Sequence, residues 1–177
     1  INEIIAMGTR IQTESLSYKG WQKRYGRSIN MRAPSMFMNS LKRKAENAGG
    51  YLFEFPIQTT KLSQTCHICE QQVKKRLSKR WHICCGIRMQ RDLYSAFLAK
   101  CVDKETSALD FARAKDLWQG MESLLSDAIS RVKQTAIGKA CPASFGFTGI
   151  QSQSGSLVNS IRIISEAMDA VILPDES

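Results

Sequence analysis

The chain has 177 residues, 43% of them hydrophobic, which is the size and composition of about one globular domain and excludes a disordered polymer. Its 25 Lys and Arg outnumber 16 Asp and Glu, for a net charge of +9 with histidines neutral, so a polyanionic partner is favoured over an acidic one. The longest stretch without charge, residues 140–161, is broken by Pro142 and three glycines, so no membrane span is expected. Nothing near the N-terminus combines a basic segment, an apolar core and a small-residue cleavage site, and the first residue is Ile1. The expectation is a cytoplasmic piece of a longer protein.

The charge is unevenly spread. Residues 1–100 carry 18 basic and 6 acidic side chains, net +12, whereas residues 101–177 carry 7 and 10, net −3. No acid occurs from Ser15 to Ala45, while Lys19, Lys23, Arg24, Arg27, Arg32, Lys42, Arg43 and Lys44 do, with Tyr18, Trp21 and Tyr25 between them. Cations interleaved with aromatic rings suit single-stranded or splayed nucleic acid, the cations meeting phosphates and the rings stacking on bases. Lys19, Trp21, Lys23, Arg24, Arg27 and Arg32 are therefore the candidate nucleic-acid contacts. Glu14, Glu54 and Asp92 stand out as rare acids in this basic half.

In chain order, residues 1–7 read as the end of a helix stopped by Gly8, and residues 10–16 alternate polar and apolar as a short strand does, with Glu14 near its end. Residues 19–33 show neither helical nor strand period and read as a basic loop. Pro34 can open a helix to about Asn47, with Met36, Phe37 and Leu41 on one face and Gly49-Gly50 stopping it. Residues 51–55 form a strand ended by Pro56. Residues 61–91 carry cysteines and have no apolar period, so something other than a hydrophobic core must fold them. Residues 92–102 read as a helix with Leu93, Phe97 and Cys101 four apart. A longer helix or helix pair follows, with Leu117, Met121, Leu124, Leu125, Ala128, Ile129 and Val132 at helical spacing. Beyond Gly138 the chain is rich in Ser, Gly, Gln and Pro, and a poorly ordered tail is expected, with a short helix or strand near residues 157–172.

The cysteines carry the first chemistry. Cys66 and Cys69 form a CxxC turn, and Cys84-Cys85-Gly86 follows fifteen residues after Cys69, the pattern of the two knuckles of a zinc ribbon. A CxxC turn aims two thiolates at one point, and two such turns complete a tetrahedron around Zn²⁺. Binding worth roughly 10–16 kcal/mol in zinc-finger peptides can fold about thirty residues that lack a core. The second knuckle is irregular, because two adjacent cysteines replace a CxxC, and His82-x2-Cys85 restores the spacing if imidazole stands in for a thiolate. The expected ligands are Cys66, Cys69 and Cys85, with either Cys84 or His82 as the fourth. His67, inside the first knuckle, is expected to be exposed, and Cys101 and Cys141 to be plain thiols.

These residues resemble a known family. Arg-Ile-Gln-Thr-Glu14-Ser-Leu, a basic loop, Leu62-Ser-Gln-Thr-Cys66-His-Ile-Cys69, Trp81 ahead of the second knuckle, and Gln90-Arg-Asp92-Leu-Tyr-Ser-Ala-Phe-Leu-Ala look like the C-terminal part of transposon-encoded TnpB proteins, relatives of the type V CRISPR effector nucleases and often labelled transposases. The resemblance runs from about Ile1 to Lys139. It implies an α/β architecture: the C-terminal part of an RNase H-like, RuvC-like domain (residues 1–60) with an inserted zinc ribbon (61–91), a final RuvC-like helix (92–103), a helical C-terminal extension (104–139) and a flexible tail (140–177).

The function implied is RNA-guided DNA cleavage, in which three carboxylates hold Mg²⁺ ions that activate water and stabilise the leaving oxygen of a phosphodiester. Glu14 matches the second of these acids and Asp92 the third, and an acid in the first turn of a helix is favoured by the helix dipole. No residue matches the first. Implied partners are DNA, guide RNA, and the remaining N-terminal part of the same protein, so this chain by itself is expected not to cleave. A nucleoid-associated, prokaryotic setting follows from the same resemblance. The competing expectation is a non-catalytic zinc-ribbon module that binds nucleic acid, a decayed or repurposed relative.

Overall fold

The computed structural model describes residues 1–135 and Gly146, so the tail expected over 140–177, its short element near residues 157–172 and Cys141 lie, apart from that glycine, outside the described residues. Helices and strands are mixed, and the chain divides into two compact units, Ile1–Thr59 and Thr60–Ser177. No helix among the described residues is long and apolar enough to cross a membrane.

The first unit runs α1 (Asn2–Met7), β1 (Arg10–Ser15), α2 (Tyr18–Tyr25), α3 (Arg27–Arg32), α4 (Pro34–Asn47) and β2 (Tyr51–Pro56), with the one-turn α5 (Ile57–Thr60) after it. β1 and β2 pair in parallel, Glu14 opposite Phe55. A parallel pair needs a crossover connection, and α2 to α4 supply it. α4 opens with Pro34 at its first turn, where the missing N–H costs nothing, and packs its buried Leu41 and Ala45 towards β2, whose Phe55 is fully buried. Gly50 must be glycine for steric reasons: a Cβ there would lie 2.1 Å from the Thr9 carbonyl oxygen, beside the bond that the Tyr51 N–H donates to that oxygen at 2.9 Å.

Two expectations for this unit are overturned. Residues 19–33 are not a loop but mostly α2 and α3. Ser17 caps α2, its hydroxyl accepting from the Gly20 N–H at 3.3 Å, and Lys, Arg and Gln carry good intrinsic helix propensity. The helix does leave a trace, since Tyr18, Trp21 and Tyr25 stand at i, i+3 and i+7 with the first two rings packed edge to face, but none of its residues is buried, so no core marks that face. Met36 and Phe37 do not share the buried face of Leu41 either: they remain 68% and 40% exposed.

The second unit begins with a 3-10 turn (Leu62–Gln64), continues through the cysteine-bearing segment to β3 (Trp81–Cys84) and β4 (Ile87–Gln90), an antiparallel hairpin, then α6 (Arg91–Lys100) and α7 (Phe111–Thr135). Most of the protein's described core is here. Leu93, Tyr94, Phe97, Leu98 and Cys101 of the α6 region and Trp118, Met121, Leu125, Ala128 and Ile129 of α7 are all buried, and the Trp118 ring packs edge to face on Tyr94 and Phe97. α7 is one continuous helix rather than a pair, and Asp110 caps it, its carboxylate accepting from the Arg113 N–H at 2.9 Å.

Candidate metal centre

The first knuckle is closed by backbone bonds: the Cys66 N–H donates to the Gln71 carbonyl at 3.1 Å, the Glu70 N–H donates to Cys66 at 2.9 Å, and Glu70 takes φ of 61° to turn the chain. The second knuckle explains the irregular cysteine pair. Cys84 pairs with Ile87 across the hairpin, leaving Cys85-Gly86 as a two-residue turn with φ of 50° and 81°. Positive φ at both positions is the mark of a type I′ hairpin turn, whose twist matches that of the strands. The turn brings two sequential thiols to one side, with Cys84 and Cys85 Sγ 3.6 Å apart.

All four sulfurs of Cys66, Cys69, Cys84 and Cys85 lie within 4.8 Å of one another, and this is the one such cluster of possible metal ligands among the described residues. Cys69 and Cys84 Sγ are 3.7 Å apart. A tetrahedron of thiolates at the usual Zn–S distance of about 2.3 Å has edges of about 3.8 Å, so the residues present fit zinc. Their ionisation is uneven. The Gln71 N–H, with help from neighbouring thiols, draws Cys69 down to about 7, whereas the neighbouring thiols of Cys85, Cys69 and Cys66 push Cys84 up to about 12. Four sulfurs this close cannot all ionise without a cation.

His82 stays outside the cluster. Its ring is buried, accepts from Lys75 Nζ at 2.7 Å through Nδ1 and stacks on Tyr94 with centroids 4.0 Å apart. His67, expected at the surface, is instead fully buried. The phenol oxygen of Tyr94 accepts from the His67 backbone N–H at 3.1 Å and lies 2.6 Å from Nδ1, while Phe97 and Trp118 close around the imidazole. One residue of each knuckle thus rests on a single α6 side chain. Burial brings both imidazoles down to about 4, so they are neutral at neutral pH.

Asp92 stands in the first turn of α6, directly after β4, with its side chain 55% exposed. Its Oδ2 accepts from Gln90 Nε2 at 3.2 Å, and Arg91 Nε lies 3.6 Å from Oδ1. Glu14 belongs to the other unit, half-buried on β1, where burial raises its carboxyl above the ordinary value. Lys19, Trp21, Lys23, Arg24, Arg27 and Arg32 are all exposed on α2 and α3, Trp21 by 40%. Sequence reasoning missed Gln90, Tyr94 and Lys75. Gln is a poor N-cap by preference, so Gln90 carried no signal; Tyr94 lay in view at Asp92 plus two, on the face shared with Phe97 and Leu98.

Residues 35–98 match the family model described as Cas12f1-like, TNB domain. The match takes in all four clustered cysteines and Asp92, leaves Glu14 and the basic helices outside, and supports a TnpB-like protein related to Cas12-family nucleases. No curated protein and no solved structure matches the chain.

Proposed function

We propose that this TnpB-like chain forms the RuvC-like and zinc-ribbon portion of an RNA-guided DNA endonuclease, with Cys66, Cys69, Cys84 and Cys85 holding a structural Zn²⁺ and Glu14 and Asp92 serving as ligands of catalytic Mg²⁺. The observation that carries the reading is the placement of Asp92: the hairpin that ends in the tetracysteine cluster runs without a break into the helix whose first turn bears this carboxylate. A zinc-folded hairpin is a stiff base for a ligand, and hard carboxylate oxygens suit Mg²⁺. Mg²⁺ would supply an activated water and charge neutralisation at the scissile phosphate.

The residues of this chain do the holding. The exposed cations of α2 and α3 neutralise phosphates, and Trp21 and Tyr25, 40% and 57% exposed, offer stacking faces to unpaired bases. Target sequence is then read by guide pairing instead of by these side chains. The test is cleavage of a target DNA by the guide-loaded endonuclease carrying Asp92→Ala or Glu14→Ala. Each change is expected to abolish cleavage while target binding persists. Undiminished cleavage in Asp92→Ala overturns the catalytic assignment; binding without cleavage in the parent favours the non-catalytic nucleic-acid-binding module.

A further inference from the structure

Gln90 has an unusual combination of burial, position and partners. It is the last residue of β4, paired with Trp81, and is 0% exposed. It is also the N-cap of α6: its Oε1 accepts from the Asp92 N–H at 2.7 Å and from the Leu93 N–H at 2.8 Å, satisfying two of the donors every helix start leaves open. With Oε1 committed in that direction, the planar amide presents Nε2 on its other side, where it donates to Asp92 Oδ2 at 3.2 Å. Ser, Thr and Asp are the better caps, yet an ionised Asp has no donor, Ser and Thr carry their one donor on the capping oxygen itself, and Asn is one methylene shorter. Capping therefore accounts for two of the three bonds and leaves the third unexplained.

We propose that Gln90 is a positioning residue for Asp92, its amide N–H fixing Oδ2 and the side-chain rotamer so that Oδ1 is the oxygen presented to a divalent cation. The proposal rests on the reading of Asp92 as a metal ligand. Hydrogen bonds that orient a ligand lower the cost of ordering it when the metal arrives, and losing one typically weakens metal binding. Arg91 Nε, 3.6 Å from Oδ1 and without a hydrogen-bond partner of its own, leaves that oxygen charge-compensated but not tied by a hydrogen bond.

The experiment uses the intact zinc-loaded chain and two variants. Gln90→Asn keeps a favoured cap whose amide falls short of Oδ2; Gln90→Glu keeps the length and the capping oxygen and replaces the donor with a second oxygen. Three-bond couplings report the Asp92 χ1 rotamer, Mn²⁺-induced broadening of the Asp92 and Leu93 amides reports cation binding, and the remaining α6 amides report the helix. The parent should show one rotamer, and both variants should keep α6 while the Asp92 couplings average. In Gln90→Asn the Mn²⁺ concentration for half-broadening should rise about 10-fold, the scale of a lost outer-sphere bond. A single rotamer and an unchanged Mn²⁺ midpoint in Gln90→Asn, or a single rotamer in Gln90→Glu, overturns the proposal and leaves the ligand reading intact. Absence of Mn²⁺ broadening at Asp92 in the parent overturns the ligand reading itself, whatever the couplings show.

Discussion

Tyr94 is the residue at which the cysteine-bearing segment and α6 become one structure. Its hydroxyl serves the backbone and ring of His67, and its ring stacks on His82, so each knuckle leans on it. Removing that hydroxyl leaves buried His67 groups without partners, which typically costs about 1–3 kcal/mol. Tyr94→Phe should therefore lower the unfolding midpoint of the second unit by several degrees in a thermal melt without changing its zinc content. The two imidazoles make the same unit acid-sensitive. Both are held neutral, at about 4 against 6.5 in the unfolded chain, so the unfolded state binds protons first. The stability they contribute is complete above about pH 6.5 and is lost as pH falls towards 4; urea midpoints of the second unit, measured across that window, should decline. A midpoint that stays level would contradict the buried neutral histidines. From the sequence, His67 could not be seen as buried, because the rings that enclose it, Tyr94, Phe97 and Trp118, come from two later helices.

At the scale of elements, the hairpin β3–β4 and the first knuckle have little apolar core of their own: Cys66, Ile87 and Met89 are their buried hydrophobic side chains, beside His67 and His82. A metal bound by residues that cannot close on each other without it makes binding free energy into folding free energy. Chelation should therefore collapse the amide signals of residues 66–90 and with them the first turn of α6, while the β1–β2 pair keeps its protection, since Leu41, Ala45 and Phe55 bury it independently. Loss of both sets together would contradict this division.

The elements with a buried face were legible in the sequence: β2, α6 and α7 carry an apolar stripe, and α4 showed itself by Pro34 and the Gly49-Gly50 stop, although Met36 and Phe37, read onto its apolar face with Leu41, are exposed. α2 and α3 were not: Tyr18, Trp21 and Tyr25 do stand at helical spacing in α2, but they lie among cations and none is buried, so no core marks the face. The cysteine spacing pointed to a cluster of Cys66, Cys69 and Cys85 but left Cys84 and His82 open for its fourth place, which the structure gives to Cys84. That choice depends on the positive φ at Cys85, which a string of residue types does not display.

Over the whole molecule, the +9 charge divides into +5 on a first unit that bears the exposed cations of α2 and α3 and +4 on a second unit, in which a basic stretch to residue 100 is followed by an acidic one over residues 101–177. Nucleic-acid affinity should then track salt through the first unit. Replacing Lys23 and Arg24 by Ala should reduce the slope of log affinity against log salt by about 1.4–1.8, two phosphate contacts at roughly 0.7–0.9 each. The tetracysteine centre is the claim on which the rest depends, because the hairpin at that cluster ends in Gln90 and leads directly into the α6 turn that bears Asp92. Elemental analysis of the purified chain tests it most directly. One zinc per chain is predicted in the parent and in His82→Ala, with loss of zinc in Cys84→Ser; zinc retained in Cys84→Ser and lost in His82→Ala would contradict the account.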